Sequence, residues 1–254
     1  MKIQKISILA MPVMLAGCSA SKYVQEGEYI LNKVEVKSDS AAYDAGALKQ
    51  YVRQKEKPKL FSLFHNPFSK KPVVYDTLQA QLSCRDLLTA MQNQGFLHAG
   101  VTLQTEIHGQ EKTDGVVKTD GQEKTDSIAE KSRKKAPKVD VTYMLHPGEP
   151  FHIGKVEYDI EDKNIEQILK LDEPENQKIK PGMRFTVDAL DAERKRIANR
   201  LLDDGYFRFN KDFIQFSADT IAGQKDIAVT LNLLKYKANS NAPETDHPRY
   251  EIRN

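Results

Sequence analysis

Tryptophan is absent, and cysteine occurs only twice in 254 residues. Two thiols make at most one crosslink, which excludes a disulfide-built scaffold. Net charge is almost missing as well. The whole excess of 38 Lys and Arg over 36 Asp and Glu is matched by Lys2 and Lys5, within the first five residues. Nothing in that balance favours nucleic acid, whose binding draws on a broad basic face and counterion release. No apolar run is long enough to span a bilayer; the best, ISILAMPVML (6–15), is short and interrupted by Pro12. Catalytic signatures are lacking too. There is no Gly-x-Ser-x-Gly, no phosphate-binding glycine loop and no nucleotide fingerprint. The histidines (His65, His98, His108, His146, His152, His247) show no metal-ligand spacing. The carboxylates of DALDAERKR (188–196) alternate with Arg and Lys at helical positions, the pattern of solvated ion pairs rather than of acid–base chemistry. The expectation is therefore no catalytic residue, no metal and no cofactor.

What is present begins at the amino terminus. Lys2 and Lys5 precede the short apolar run, which ends in Leu15-Ala16-Gly17-Cys18. A basic segment, an apolar segment and small residues before a Cys resemble a bacterial lipoprotein signal with its lipobox. The resemblance implies a signal peptide over 1–17, cleavage after Gly17, lipid on the Cys18 thiol and an acylated new amino terminus. Two or three acyl chains anchor stably where one does not. Ser19 follows the Cys, with no Asp to favour the inner membrane, so an outer-membrane anchor with periplasmic domains is expected. A lipidated Cys18 leaves Cys84 without a partner. Cys84 lies four residues before Leu88 and seven before Met91, so helical spacing makes it a buried, inert thiol.

Beyond a polar tether over 18–27, two halves share one order. YILNKVEVKSD (29–39) alternates as a strand, AGALKQYVRQK (45–55) reads as a short amphipathic helix, and VVYDTLQAQLSCRDLLTAMQNQG (73–95) reads as a long helix capped by Asp76 and stopped by Gly95. VTLQTEI (101–107) and VDVTYML (139–145) are strands. Between them, residues 108–138 are of low complexity, with GQEKTD twice, and read as a disordered excursion. The second half repeats the order: HIGKVEYDI (152–160), IEQILKL (165–171), FTVDALDAERKRIANRLLDDG (185–205) capped by Thr186, FIQFSADT (213–220) and KDIAVTLNLLKY (225–236). One stretch stays open: KLFSLFHNPF (59–68) fits either a loop packed on the first unit or an element that dips toward lipid.

An offset of 110 carries Tyr75 to Phe185, Asp76 to Thr186, Leu87 to Ile197, Met91 to Leu201, Gly95 to Gly205 and Phe96 to Tyr206 without a gap. So Tyr206 and its neighbouring rings, which look at first like an aromatic loop awaiting a ligand, form one copy of a structural corner whose other copy is Gly95-Phe96. Gly ends the helix in a conformation other residues avoid, and the ring folds back. Asp203 and Asp204 sit at the negative end of the helix dipole, a choice the sequence does not explain.

The expected fold class is therefore α+β, with two tandem β-α-α-β-β domains. This duplicated corner, on a chain with a lipobox, resembles tandem POTRA (polypeptide-transport-associated) domains: domain 1 over 28–147 with the 108–138 insert, domain 2 over 148–238, and 239–254 as linker and first strand of a further unit. SKYVQEGEYILNKVEV and KPVVYD are similar to the amino-terminal part of the translocation and assembly module lipoproteins, relatives of the BamA/TamA outer-membrane assembly factors, here without their barrel. The resemblance implies a three-stranded mixed sheet with two helices on one face, its third strand central and its second at an edge. It also implies outer-membrane protein precursors as partners, with a barrel or an inner-membrane-anchored assembly protein as a further one. The candidate client-binding edges are then Val101, Leu103, Thr105 and Ile107 in the first half, and Phe213, Ile214 and Phe216 in the second. An open edge binds extended segments through main-chain hydrogen bonds. Two alternatives stay open: a neighbouring domain or the insert covers the edges, or the domains act as a tether that docks a fixed partner without touching clients.

Overall fold

The computed structural model describes residues 24–57, 71–109, 136–220 and 225–251. The lipobox with Cys18, the apolar stretch 59–68, most of the 108–138 insert and Ile252 lie outside the described residues. The elements are β1 (Ile30–Ser38), α1 (Thr77–Asn93), β2 (Gly100–His108), β3 (Lys138–His146), β4 (His152–Asp159), α2 (Lys163–Lys170), α3 (Val187–Asp203), β5 (Ile214–Thr220) and β6 (Asp226–Leu233). The expected first helix of the first half is a 3-10 segment instead, Gly46–Tyr51. Leu48 is its buried residue.

Two three-stranded sheets result, ordered β1-β3-β2 and β4-β6-β5. In the second, β4 runs parallel and β5 antiparallel to the central β6. The fold is α+β, two β-α-α-β-β units of POTRA-like order with the third strand central. The central strands read most plainly from sequence. Val139, Val141, Tyr143 and Leu145 alternate into the core along β3, and Ile227, Val229 and Leu231 do so along β6.

The first strands of both repeats break alternation. Leu31 and Val34 are both buried although three residues apart. In β4 the register slips between Ile153 and Lys155, so Ile153 and Val156 both turn inward. A bulge inserts one residue and re-phases the side chains. Gly154 sits in the slip, where a Cβ would come 2.9 Å from the Cβ of Asp226.

By compactness the chain divides into two units that cut across the repeat. One comprises Met1–Val34, Lys55–Asp76 and Thr105–Val141; the other comprises Glu35–Gln54, Thr77–Gln104 and Thr142–Asn254. In the first, Asn32 donates to Asp140 (2.6 Å), whose other oxygen lies 3.2 Å from His108 Nε2. The second holds all of the second repeat together with α1 and its corner. Its core includes two clusters from the second repeat. Ile165 and Leu169 of α2 meet Ile197 and Leu201 of α3, with Tyr206, Ile214 and Leu231. Phe151, Ile153, Ile179, Ile227 and Val229 form the other, and Leu97 from the first corner packs against it. Asp162 caps α2 by accepting from Asn164 and Ile165, and Thr186 caps α3 by accepting from Ala189. Cys84 is half-buried, because the inward face of α1 is Ala80, Ser83, Leu87, Ala90 and Met91.

Candidate strand-edge binding site

The two corners are built bond for bond alike. Gly95 N donates to Gln92 O and Phe96 N to Met91 O; Gly205 N donates to Leu202 O and Tyr206 N to Leu201 O. These are the paired bonds that close a helix through a left-handed residue, with φ +91 at Gly95 and +95 at Gly205. Phe96 and Tyr206 are buried. Tyr43 meets Phe96 edge-on at 5.1 Å, and the Arg184 guanidinium lies 5.2 Å from the same ring. Burial pushes the Tyr206 hydroxyl upward in pKa. The corner rings are thus satisfied parts of a core, and the strands they launch carry the openings.

Each sheet has two edge strands, and the chain treats them differently. Outside β1 runs the segment just before α1: Leu31 N donates to Val73 O and Tyr75 N to Tyr29 O. Outside β4 runs the segment just before α3, where Ile153 N donates to Met183 O and Phe185 N to Phe151 O. Isolated antiparallel bridges Ile30–Val74 and His152–Arg184 mark the same straps. The starts of the β1 and β4 edges are therefore covered by the chain itself. Among the described residues, no strand pairs with the outer edges of β2 and β5.

On β5 the pairing fixes which groups face outward. Phe213 O accepts from Leu234 N, and antiparallel pairs alternate, so Gln215, Ser217 and Asp219 turn their peptide groups toward β6. Phe216, Ala218 and Thr220 turn theirs away. The N–H of Ile214 is already bonded to Lys211 O.

The sequence-derived edge residues fall into three groups. Val101 and Leu103 are half-buried, while Thr105 and Ile107 are exposed along the outer half of β2. Ile214 and Phe216 lie in β5 but point inward, Ile214 into the core and Phe216 half-buried against it. Phe213 is not in the edge strand. It ends a one-turn 3-10 segment, Lys211–Phe213, set up by the Asn210 side chain accepting from Asp212 N, and it stacks with Phe209 and His247. On β5 the edge is thus a backbone surface, with its large side chains spent on the core. The straps were missed from sequence. Their signal is the strand-like Val73-Val74-Tyr75 and its counterpart Met183-Arg184-Phe185, each directly ahead of a long helix.

No metal-holding group of His, Cys, Asp or Glu occurs among the described residues. No helix among them is long and apolar enough to cross a membrane.

No protein-family model matches the chain, and no curated protein matches it. Solved structures similar to it include the POTRA3-5 region of Haemophilus influenzae BamA, at 13% identity and a TM-score of 0.40, covering 89% of this chain and 82% of that one. Haemophilus ducreyi BamA lacking POTRA domains 1-3 is similar at 10% identity and a TM-score of 0.38, with 81% of this chain and 29% of that one covered. POTRA1-2 of the periplasmic domain of Omp85 from Anabaena is similar at 12% identity and a TM-score of 0.34, covering 85% and 100%. The fold stands on the strand order and pairing described above.

Proposed function

We propose that the chain is a periplasmic POTRA module of an outer-membrane protein assembly or translocation factor, held at the outer membrane by lipid on Cys18. It receives extended segments of barrel precursors along the open edges of β2 and β5. The observation that carries this reading is the asymmetry of the edges: β1 and β4 are strapped at their starts by the chain itself, and among the described residues β2 and β5 are not. Proteins ordinarily blunt exposed edges. Leaving the same one open in each unit suits strand addition, in which main-chain bonds bind many sequences. An outward-facing N–H on an edge strand can be removed without breaking the ladder, so Ala218→Pro is the cleanest test. Expected is loss of precursor crosslinking at β5 with unchanged circular dichroism; full crosslinking by the folded variant overturns the reading.

One observation favours a tether as a second reading. Leu97 at the first corner packs against the Phe151–Val229 cluster, whereas its counterpart Phe207 is 58% exposed. A fixed partner seated on Phe207 gives single-partner pull-downs, lost in Phe207→Ser, with no precursors recovered.

A further inference from the structure

The long helices of the two repeats differ at many positions, and one of these lies over β5. Position 84 of α1 maps by the 110-residue offset onto position 194 of α3, so Cys84 corresponds to Arg194. The Arg194 guanidinium lies over the Phe216 ring, 5.7 Å from its centre. Phe216 is the β5 residue whose peptide groups face the open edge and whose ring lies under α3. Arg194 Nε is buried and has no hydrogen-bond partner among the described residues. Nor does a carboxylate pair with it among them. The nearby acids are already engaged: Asp191 holds Lys195 and Lys211, and Glu193 holds Arg196 and the Lys178 N–H. A stacked, partly desolvated guanidinium with free donors is suited to a carboxylate, which it can bind through two parallel hydrogen bonds.

We infer that the β5 edge selects extended segments carrying a carboxylate opposite Phe216, with Arg194 as the group that reads it. The inference rests on the strand-addition reading above. A residue paired with Phe216 in an added strand puts its side chain on the same, helix-covered face, about 5 Å from Phe216. That brings a Glu or Asp side chain within reach of Arg194. At the corresponding position of α1 stands the Cys84 thiol, its pKa pushed up by burial.

The test uses the full chain and two fluorescent strand peptides that alternate apolar and polar residues and differ only by Glu or Gln at the central inward position. By anisotropy, the native chain should bind the Glu peptide about tenfold more tightly, the scale of one charge-assisted hydrogen-bond pair. Arg194→Gln should bring the two affinities together without weakening the Gln peptide, and Arg194→Lys should keep part of the preference. Cys84→Ser should leave it unchanged. If both peptides bind the native chain equally, or if the preference survives in Arg194→Gln, the selectivity is overturned and strand addition stands. If neither peptide binds the native chain, strand addition fails and takes the selectivity with it.

Discussion

At the residue scale, the glycines at the two helix ends do more than supply a left-handed φ. A Cβ on Gly95 would lie 2.3 Å from the carbonyl oxygen of Phe185, and one on Gly205 would lie 2.6 Å from that of Tyr250. Gly148, with φ +68, has nothing within 4 Å and serves as a control. Gly148→Ala should lose about 1 kcal/mol from conformation alone, and Gly95→Ala at least about twice that, measured by urea unfolding. Equal losses would show that the close approach is unimportant. Glu193 is fully buried, pinned between Arg196 and the Lys178 N–H, with Asp172 on the far side of Arg196. Stripping one member leaves an unpaired charge, so Glu193→Ala should lose about 3–5 kcal/mol in the same assay. The acids at the helix–dipole end that the sequence left unexplained gain a partial account: Arg200 lies 3.0 Å from Asp204 and 3.7 Å from Asp172. Nothing in the structure explains Asp203.

Acid titration offers a further check at this scale. Hydrogen bonds from Lys170 and then Lys163 hold Glu166 down at about 2, and those from Lys195 and Lys211 hold Asp191 at about 2. Both folded values lie below the ordinary 4.5 and 3.8, so their stabilisation is complete above those values and is lost as pH falls toward 2. Solvent screening keeps each contribution small. Carboxyl carbon chemical shifts should show both midpoints near 2; midpoints at about 4 would contradict the pairing.

At the scale of elements, the fold was legible where one local rule governs. The central strands alternate cleanly, the long helices end at Gly, and the 110-residue offset aligns them. Where two rules compete, the sequence misleads. Burial of both Leu31 and Val34 breaks the alternation expected of Ile30, Val34 and Val36 in β1, and a bulge re-phases β4. The 3-10 segment at Gly46–Tyr51 has the amphipathic spacing of a helix but one turn too few to wind as α. Phe213 continues the apolar pattern of β5, yet Asn210 draws it into a turn. The edge strands themselves were legible as strands; that two others are strapped was not, because pairing with a three-residue segment leaves no periodicity. The tail adds another long-range bond of this sort: His247 N donates to the Asp162 carboxylate that also caps α2. Asp162→Ala should therefore fray α2 and release residues around His247 together, by about 2 kcal/mol in all, and limited proteolysis should cut both places. Cleavage in the tail alone would separate the two roles.

At the scale of the whole chain, duplication organises the account. Tyr250 N donates to Gly205 O as Phe151 N donates to Gly95 O, so the residue after each corner's sheet returns to seal that corner. Each repeat shields the start of one edge with its own strap, and among the described residues no strand pairs with the other. The same duplication lets the copies diverge, with Cys84 on α1 where α3 carries the Arg194 that lies over Phe216 of β5. The most direct measurement of strand addition is amide hydrogen exchange along β5, with and without an extended precursor peptide. Addition of a strand should slow exchange at Phe216 and Ala218, whose N–H groups face outward, and leave Gln215 and Ser217, already bonded to β6, unchanged. Protection elsewhere on the chain with Phe216 and Ala218 still exchanging fast would contradict the account.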